Sequence, residues 1–182
     1  MLYPNKLIPN STELFSVDGN NIEIPKAVVQ FKKWEGKPIG NTFGNKPLLD
    51  YEGKPMFAEL AIMNTFEKNG WESRWVEPYG RPKLSPLYLQ EWADSNLKEQ
   101  VDHPIENKEI QRLLDRIAKA NNSRFGGCWD VLAWKDEFLI FAESKRSKKD
   151  FIQSTQNEWL NAAFEVGLKR ENFLMVEWTV LG

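Results

Sequence analysis

One stretch limits what this chain can fold into: Gly127-Cys-Trp-Asp-Val-Leu-Ala-Trp-Lys-Asp-Glu-Phe-Leu-Ile-Phe-Ala-Glu-Ser-Lys145. Two apolar, aromatic-rich runs, 128–134 and 138–142, flank the polar trio Lys135-Asp136-Glu137. The pattern predicts two mostly buried strands joined by a short hairpin loop. With the loop centred between Asp136 and Glu137, Asp130 falls opposite Glu143, Leu132 opposite Phe141 and Trp134 opposite Leu139. Each strand therefore carries a carboxylate, and a buried charge without a partner costs several kcal/mol. Cross-strand partners share a face with Cβ atoms about 5 Å apart. Lys145 follows Glu143 by two and projects from the same face. Two carboxylates and a lysine at one strand end form a candidate divalent-metal site with a cation beside it. The same residues also read as a strand-ending Asp130 and an exposed Glu143–Lys145 ion pair, because Glu-x-Lys is common by chance in a chain with 27% charged residues.

Composition narrows the chemistry. The 182 residues suit one compact domain with room for a sizeable core. A hydrophobic content of 41% with eight Trp argues against disorder. A single Cys and a single His exclude an internal disulfide and a zinc cluster. Any metal must then be held by oxygen, which favours magnesium or manganese. No apolar run approaches the roughly 20 residues of a membrane span, and the start lacks a basic-then-apolar signal. A soluble, cytoplasmic protein without a membrane partner is the expectation. The net charge of −2 does not advertise nucleic-acid binding, but Lys145, Arg146, Lys148 and Lys149 cluster directly after the candidate site.

Around this stretch, strands and helices alternate. In the first 55 residues, an extension whose role the sequence leaves open, Asp18-Gly19-Asn20-Asn21 marks a turn. A strand is expected within 22–33, and the Gly-, Asn- and Pro-rich 36–47 reads as loop. A helix is expected over 56–69, with Leu60, Ile62, Met63 and Phe66 as its stripe and Gly70 after it. Glu59 lies on the edge of that stripe, either solvated near the helix start or directed at the metal site. A strand follows over 71–76. Segment 81–122 reads as an insertion holding one helix, with Pro104 at its first position and His103 as a helix-start residue. A third helix is expected after Lys149, opened by an Asp150–Gln153 capping box and closed by Gly167. It carries Gln156 on the stripe of Ile152, Trp159, Leu160 and Ala163, pointing to the sheet or reaching solvent. A last strand spans 171–179.

This order of elements resembles the PD-(D/E)XK nuclease superfamily. Gly127-x-x-Asp130, Glu143-Ser-Lys145 and Gln156-x-x-Trp159-Leu160, with Gly167 beyond, are similar to the VRR-NUC branch. The likeness covers 57–178 apart from 81–122, and Trp129 stands where the superfamily's name expects Pro. It implies an α/β fold with a restriction-endonuclease-like core: a central mixed sheet flanked by helices, carrying a helical insertion. It also implies magnesium- or manganese-dependent hydrolysis of DNA phosphodiesters. Small VRR-NUC proteins resemble junction-resolving enzymes that work as dimers, so DNA and a second copy of the chain are the implied partners.

The resemblance also implies a role for each residue. Asp130 and Glu143 hold the metal, with the backbone carbonyl of Ser144 as a further ligand and Glu59 binding directly or through water. Lys145 orients the attacking water or stabilises charge on the phosphate. Gln156 positions Lys145 or a phosphate. Arg146, Lys148, Lys149 and Arg124 contact the nucleic-acid backbone, or the basic run simply faces solvent. A nuclease-fold module that binds nucleic acid or protein without cutting stays open beside the enzyme.

Overall fold

The computed structural model describes residues 3–80 and 85–181. In chain order they form β1 (Ser11–Val17), β2 (Asn20–Lys33), β3 (Leu49–Tyr51), β4 (Lys54–Met56), α1 (Ala58–Glu67), β5 (Glu72–Glu77), β6 (Leu87–Leu89), α2 (Lys108–Ala120), β7 (Val131–Lys135), β8 (Phe138–Arg146), α3 (Ser154–Glu165) and β9 (Phe173–Leu181). All the described strands join one mixed sheet in the order β4-β3-β2-β9-β8-β7-β5-β6, with β1 paired to β2. The chain is thus α/β, a central mixed sheet flanked by three helices among the described residues.

The expected hairpin lies inside this sheet. In β7–β8, Val131 faces Ala142, Leu132 faces Phe141 and Lys135 faces Phe138, the register expected from the loop. Asp136 takes φ +51° in the turn, a conformation that Asp tolerates better than most residues. Alternation then sorts the side chains into two layers. Leu132, Trp134, Leu139 and Phe141 pack with the apolar faces of α2 and α3, including Leu114, Ile117, Trp159 and Leu160. Val131, Ala133, Ile140 and Ala142 pack with Leu60, Ile62, Met63 and Phe66 of α1. From β8 the chain crosses over through α3 to β9, parallel to β8, as parallel neighbours require a long connection.

The first 55 residues contribute β1 to β4. β2 pairs in parallel with β9, and Asp18 (φ +49°) with Gly19 (φ +77°) makes the two-residue turn joining it to β1. The segment 81–122 contributes the edge strand β6 and helix α2. Its first four residues lie outside the described residues.

Element boundaries differ from the sequence expectations for local reasons. α1 starts at Ala58, because 54–56 pairs as β4 with β3. α2 starts at Lys108, not near Pro104, because the Asn107 side chain accepts the free N–H groups of Glu109 and Ile110. His103 is accordingly no helix-start residue. Its N–H donates to the Tyr88 carbonyl at 2.7 Å, and its carbonyl accepts from Arg74 Nε at 2.8 Å. α3 starts at Ser154, and its opening contact joins Gln153 to Gln156 rather than Asp150 to Gln153. Asp150 instead accepts the Arg146 N–H at 2.8 Å. Gly70 (φ +78°) and Gly167 (φ +103°) follow α1 and α3 in left-handed conformation, as expected.

Gly127 fixes how the segment before β7 meets α3. It has φ +85°, and a Cβ there would stand 1.9 Å from the Thr155 carbonyl oxygen. Gly127→Ala combines a left-handed backbone with overpacking against a helix, at about 2–4 kcal/mol in total. Its melting temperature should fall by roughly 5–15 °C. A fall smaller than about 2 °C in thermal unfolding would show that this packing yields freely.

Candidate active site

Asp130 sits where β7 parts from β8. The last ladder pair is Val131 with Ala142, while the Asp130 carbonyl still accepts the Val76 N–H of β5 at 2.7 Å. The Ser144 N–H, beyond that last pair, donates to the Asp130 carboxylate at 2.9 Å instead of continuing the backbone ladder. The Asp130 N–H donates in turn to Glu143 Oε2 at 3.4 Å. Each carboxylate thus terminates the ladder beside the other.

Glu143 is almost fully enclosed, at 3% exposure. Its Oε1 accepts from Lys145 Nζ at 3.0 Å and from Gln156 Nε2. Gln156 is oriented by its own Oε1, which accepts the Gln153 N–H at 2.9 Å. Gln156 therefore points to the sheet and holds Glu143, where the sequence suggested Lys145 or a phosphate.

Two further carboxylates approach from the α1 side. Glu59, in the first turn of α1, is 8% exposed and ion-paired with Lys46. Glu77, at the end of β5, is 9% exposed and accepts the Tyr79 N–H at 2.9 Å. Neither Lys46 nor Glu77 is recognisable as a site residue from sequence. Lys46 lies in an aperiodic loop, and Glu77 gains its meaning only from the pairing of β5 with β7. Its one local signal is a carboxylate directly after the apolar Trp75-Val76.

The remaining expected residues separate into two groups. Arg146 and Lys149 line a cavity of about 360 Å³ together with Glu59 and Ser144. The Ser144 hydroxyl accepts from Trp178 Nε1 at 2.9 Å, and its carbonyl is directed to the same strand edge as its N–H. Lys148, at φ +59°, is exposed. Arg124 is exposed in the loop after α2, where its N–H donates to the Ala118 and Asn121 carbonyls.

Crowding unmatched negative charge shifts the titrations. Burial, then the Glu143 carboxylate and Glu59, push Asp130 well above the usual carboxylate range, against Lys46 and the Ser144 N–H. Burial also raises Glu143, although Lys145 pulls the other way. Glu77 is raised mainly by burial. Burial opposes the charge on Lys46, but Glu59, Asp130 and Glu77 outweigh it and the net shift is upward. The neighbouring Cys128 thiol is pushed up by burial and by Glu143 and Asp130, so it is no thiolate ligand.

No family model, curated protein or solved structure matches this chain. Among the described residues, no three His, Cys, Asp or Glu side chains converge as a metal-ligand group. Magnesium is often bound through only one or two carboxylates, with waters and substrate phosphates completing its shell. Asp130 and Glu143 supply two, held side by side at the parting strand ends. The residues present fit magnesium or manganese. They do not fit zinc.

The same repulsion makes a stability forecast. A carboxyl raised in the folded state holds its proton after the unfolded chain has released it. Metal-free stability should therefore fall as pH rises from the usual carboxylate range through the raised folded value. Asp130→Asn keeps an acceptor for Ser144 and removes one charge. At neutral pH in EDTA it should gain about 1 kcal/mol, or roughly 2–4 °C in melting temperature, with a flatter pH profile. A variant that melts below the wild type in EDTA would instead make the Asp130 charge a stabilising one.

Proposed function

We propose that the chain is a magnesium- or manganese-dependent nuclease that hydrolyses DNA phosphodiester bonds, built on the restriction-endonuclease-like core of the PD-(D/E)XK superfamily and nearest in motif to its VRR-NUC branch. One observation carries the reading: Asp130 and Glu143 stand together at the parting strand ends, with Lys145 on the same carboxylate. A structural ion pair needs only one of those acids. Two carboxylates from the ends of β7 and β8, with the β8 lysine on one of them and Glu59 of α1 nearby, match a site that handles charge.

A divalent ion bound there polarises a phosphoryl oxygen and lowers the pKa of a coordinated water. Asp130 and Glu143 would hold it, with the Ser144 carbonyl on the same edge and Glu59 within electrostatic reach of both. Lys145, a compact point charge, would release Glu143 to orient the attacking water or to meet charge developing on the phosphate. Gln156 keeps Glu143 in place by its hydrogen bond. Arg146 and Lys149 face the adjoining cavity and would draw the DNA backbone toward the carboxylates. Selection of the substrate by its structure, such as a junction, flap or end, belongs to the same reading.

A second reading, a binding module on the same fold that does not cut, has its own support. Lys145 is turned onto Glu143 and Lys46 onto Glu59, so much of the cluster is charge-paired without a metal.

Cleavage of plasmid, linear, flapped and four-way DNA with magnesium, manganese or EDTA separates the two. The enzyme should cut with either metal and stop in EDTA. Glu143→Ala and Lys145→Ala should each lose at least about a hundredfold in rate, the scale of removing one electrostatic or acid–base group, with circular dichroism unchanged. Near wild-type cutting by a folded variant would remove these residues from the chemistry.

The basic run makes a separate claim. Neutralising Arg146, Lys148 and Lys149 together should weaken DNA binding evenly across sequences. The salt slope should fall by about 0.9 for each phosphate that is no longer neutralised. An unchanged slope would mean that the run faces solvent only.

A further inference from the structure

Lys46 has no role that its sequence surroundings suggest, yet its ammonium group is ion-paired with Glu59 of the candidate site. The Asp130 and Glu77 carboxylates attract it from further off. It also stands 5.1 Å from the ring centre of Trp75 and 5.4 Å from that of Phe43, within range of cation–π attraction. A lysine held between a carboxylate and two aromatic rings, and only partly exposed, is a seated cation.

Its seat is braced from elsewhere. Phe43 (φ +44°), Gly44 (φ +78°) and Asn45 (φ +63°) are consecutive left-handed residues, and the Lys46 N–H closes the turn on the Thr42 carbonyl at 2.9 Å. The Asp94 carboxylate accepts the Gly40 and Asn41 N–H groups at 2.8 and 2.6 Å. Trp92 Nε1 donates to the Asn41 carbonyl at 3.0 Å, and the Phe43 ring packs on Trp75, Tyr79 and Trp92. A loop built at this cost in backbone strain presents one charged side chain to the carboxylates.

Resting on the nuclease reading above, we infer that Lys46 is a tethered counter-ion that neutralises Glu59 and its neighbours in the metal-free protein and competes with the divalent ion for them. Glu59 holds Lys46 and would have to release it to serve the metal. Lys46 lines the same cavity as Glu59, Arg146 and Lys149, and with a divalent ion on the carboxylates its side chain would be released from Glu59 into that cavity. There the same ammonium would meet a substrate phosphate. The braced backbone means that the side chain moves and the loop stays.

The test reads metal binding, not turnover. Lys46→Met keeps an unbranched apolar stem against Phe43 and Trp75 but lacks the charge. Removing one cation beside these carboxylates should tighten magnesium binding by about tenfold in titration calorimetry. The variant should melt below the wild type in EDTA and gain more from saturating magnesium than the wild type does. Lys46→Arg, which keeps the charge, should bind magnesium as the wild type does. Should Lys46→Met not fold, Lys46→Gln reads the same competition. Wild-type magnesium binding that Asp130→Asn abolishes and Lys46→Met leaves within about twofold would overturn the inference and leave the metal site standing. Failure of both wild type and Lys46→Met to bind magnesium or manganese would overturn inference and nuclease reading together.

Discussion

Two like charges enclosed against each other set the terms for the rest of the molecule. Asp130 and Glu143 could reduce their repulsion by opening to water, yet the fold holds them at the parting ends of β7 and β8. Backbone N–H groups satisfy one oxygen of each, and Lys145 and Gln156 satisfy the other oxygen of Glu143. Hydrogen bonds make the pair tolerable without making it neutral. Nearby elements that supply positive charge or rigidity are best understood as responses to that residual charge.

Three parts of the chain meet the pair from different directions, and one of them, α1, adds a further negative charge. α3 sends Gln156 from one face of the sheet, and α1 sends Glu59 from the other. Gly127 lets the segment before Asp130 press directly on the first turn of α3, so Asp130 and Gln156 share one mechanical frame. The third part is composite. The loop after β2 carries Lys46, while Trp92 and Asp94, from the segment after β6, hold that loop in shape. Among the described residues, no helix is long and apolar enough to cross a membrane.

The hairpin and the carboxylates it carries were legible because period-two alternation and a two-residue loop fix register without reference to the rest of the chain. The stripes of α1 and α3 were legible for the same local reason, but whether Gln156 turns to the sheet or to solvent was not, because it sits at the edge of its stripe. The short strands were not. β3, β4 and β6 are three residues each and become strands only by pairing. Helix starts moved where one side chain outweighed periodicity, as at Asn107, or where the capping contact fell later in the chain, as at Gln153. Lys46 and Glu77 could not be found locally. What brings them to Asp130 is the pairing of β5 with β7 and a bracing hydrogen bond to Asp94, neither of which leaves a spacing to read.

The long strand β2 has a further consequence, for the order in which the molecule can be made. Its first half pairs with its sequence neighbour β1, but its second half pairs with β9, so that Lys26 lies beside Met175 and Lys32 beside Leu181. β9 also closes the open side of β8, the strand that carries Glu143. A ribosome delivers β2 early and β9 after every other described strand. Until β9 arrives, the second half of β2 and the inner edge of β8 are unpaired templates for any extended chain nearby. Closing the sheet then requires a loop that encloses most of the described residues, which favours slow folding. The strand that completes the carboxylate site is thus the last of the described strands to be synthesised, and the growing chain has no finished site before it.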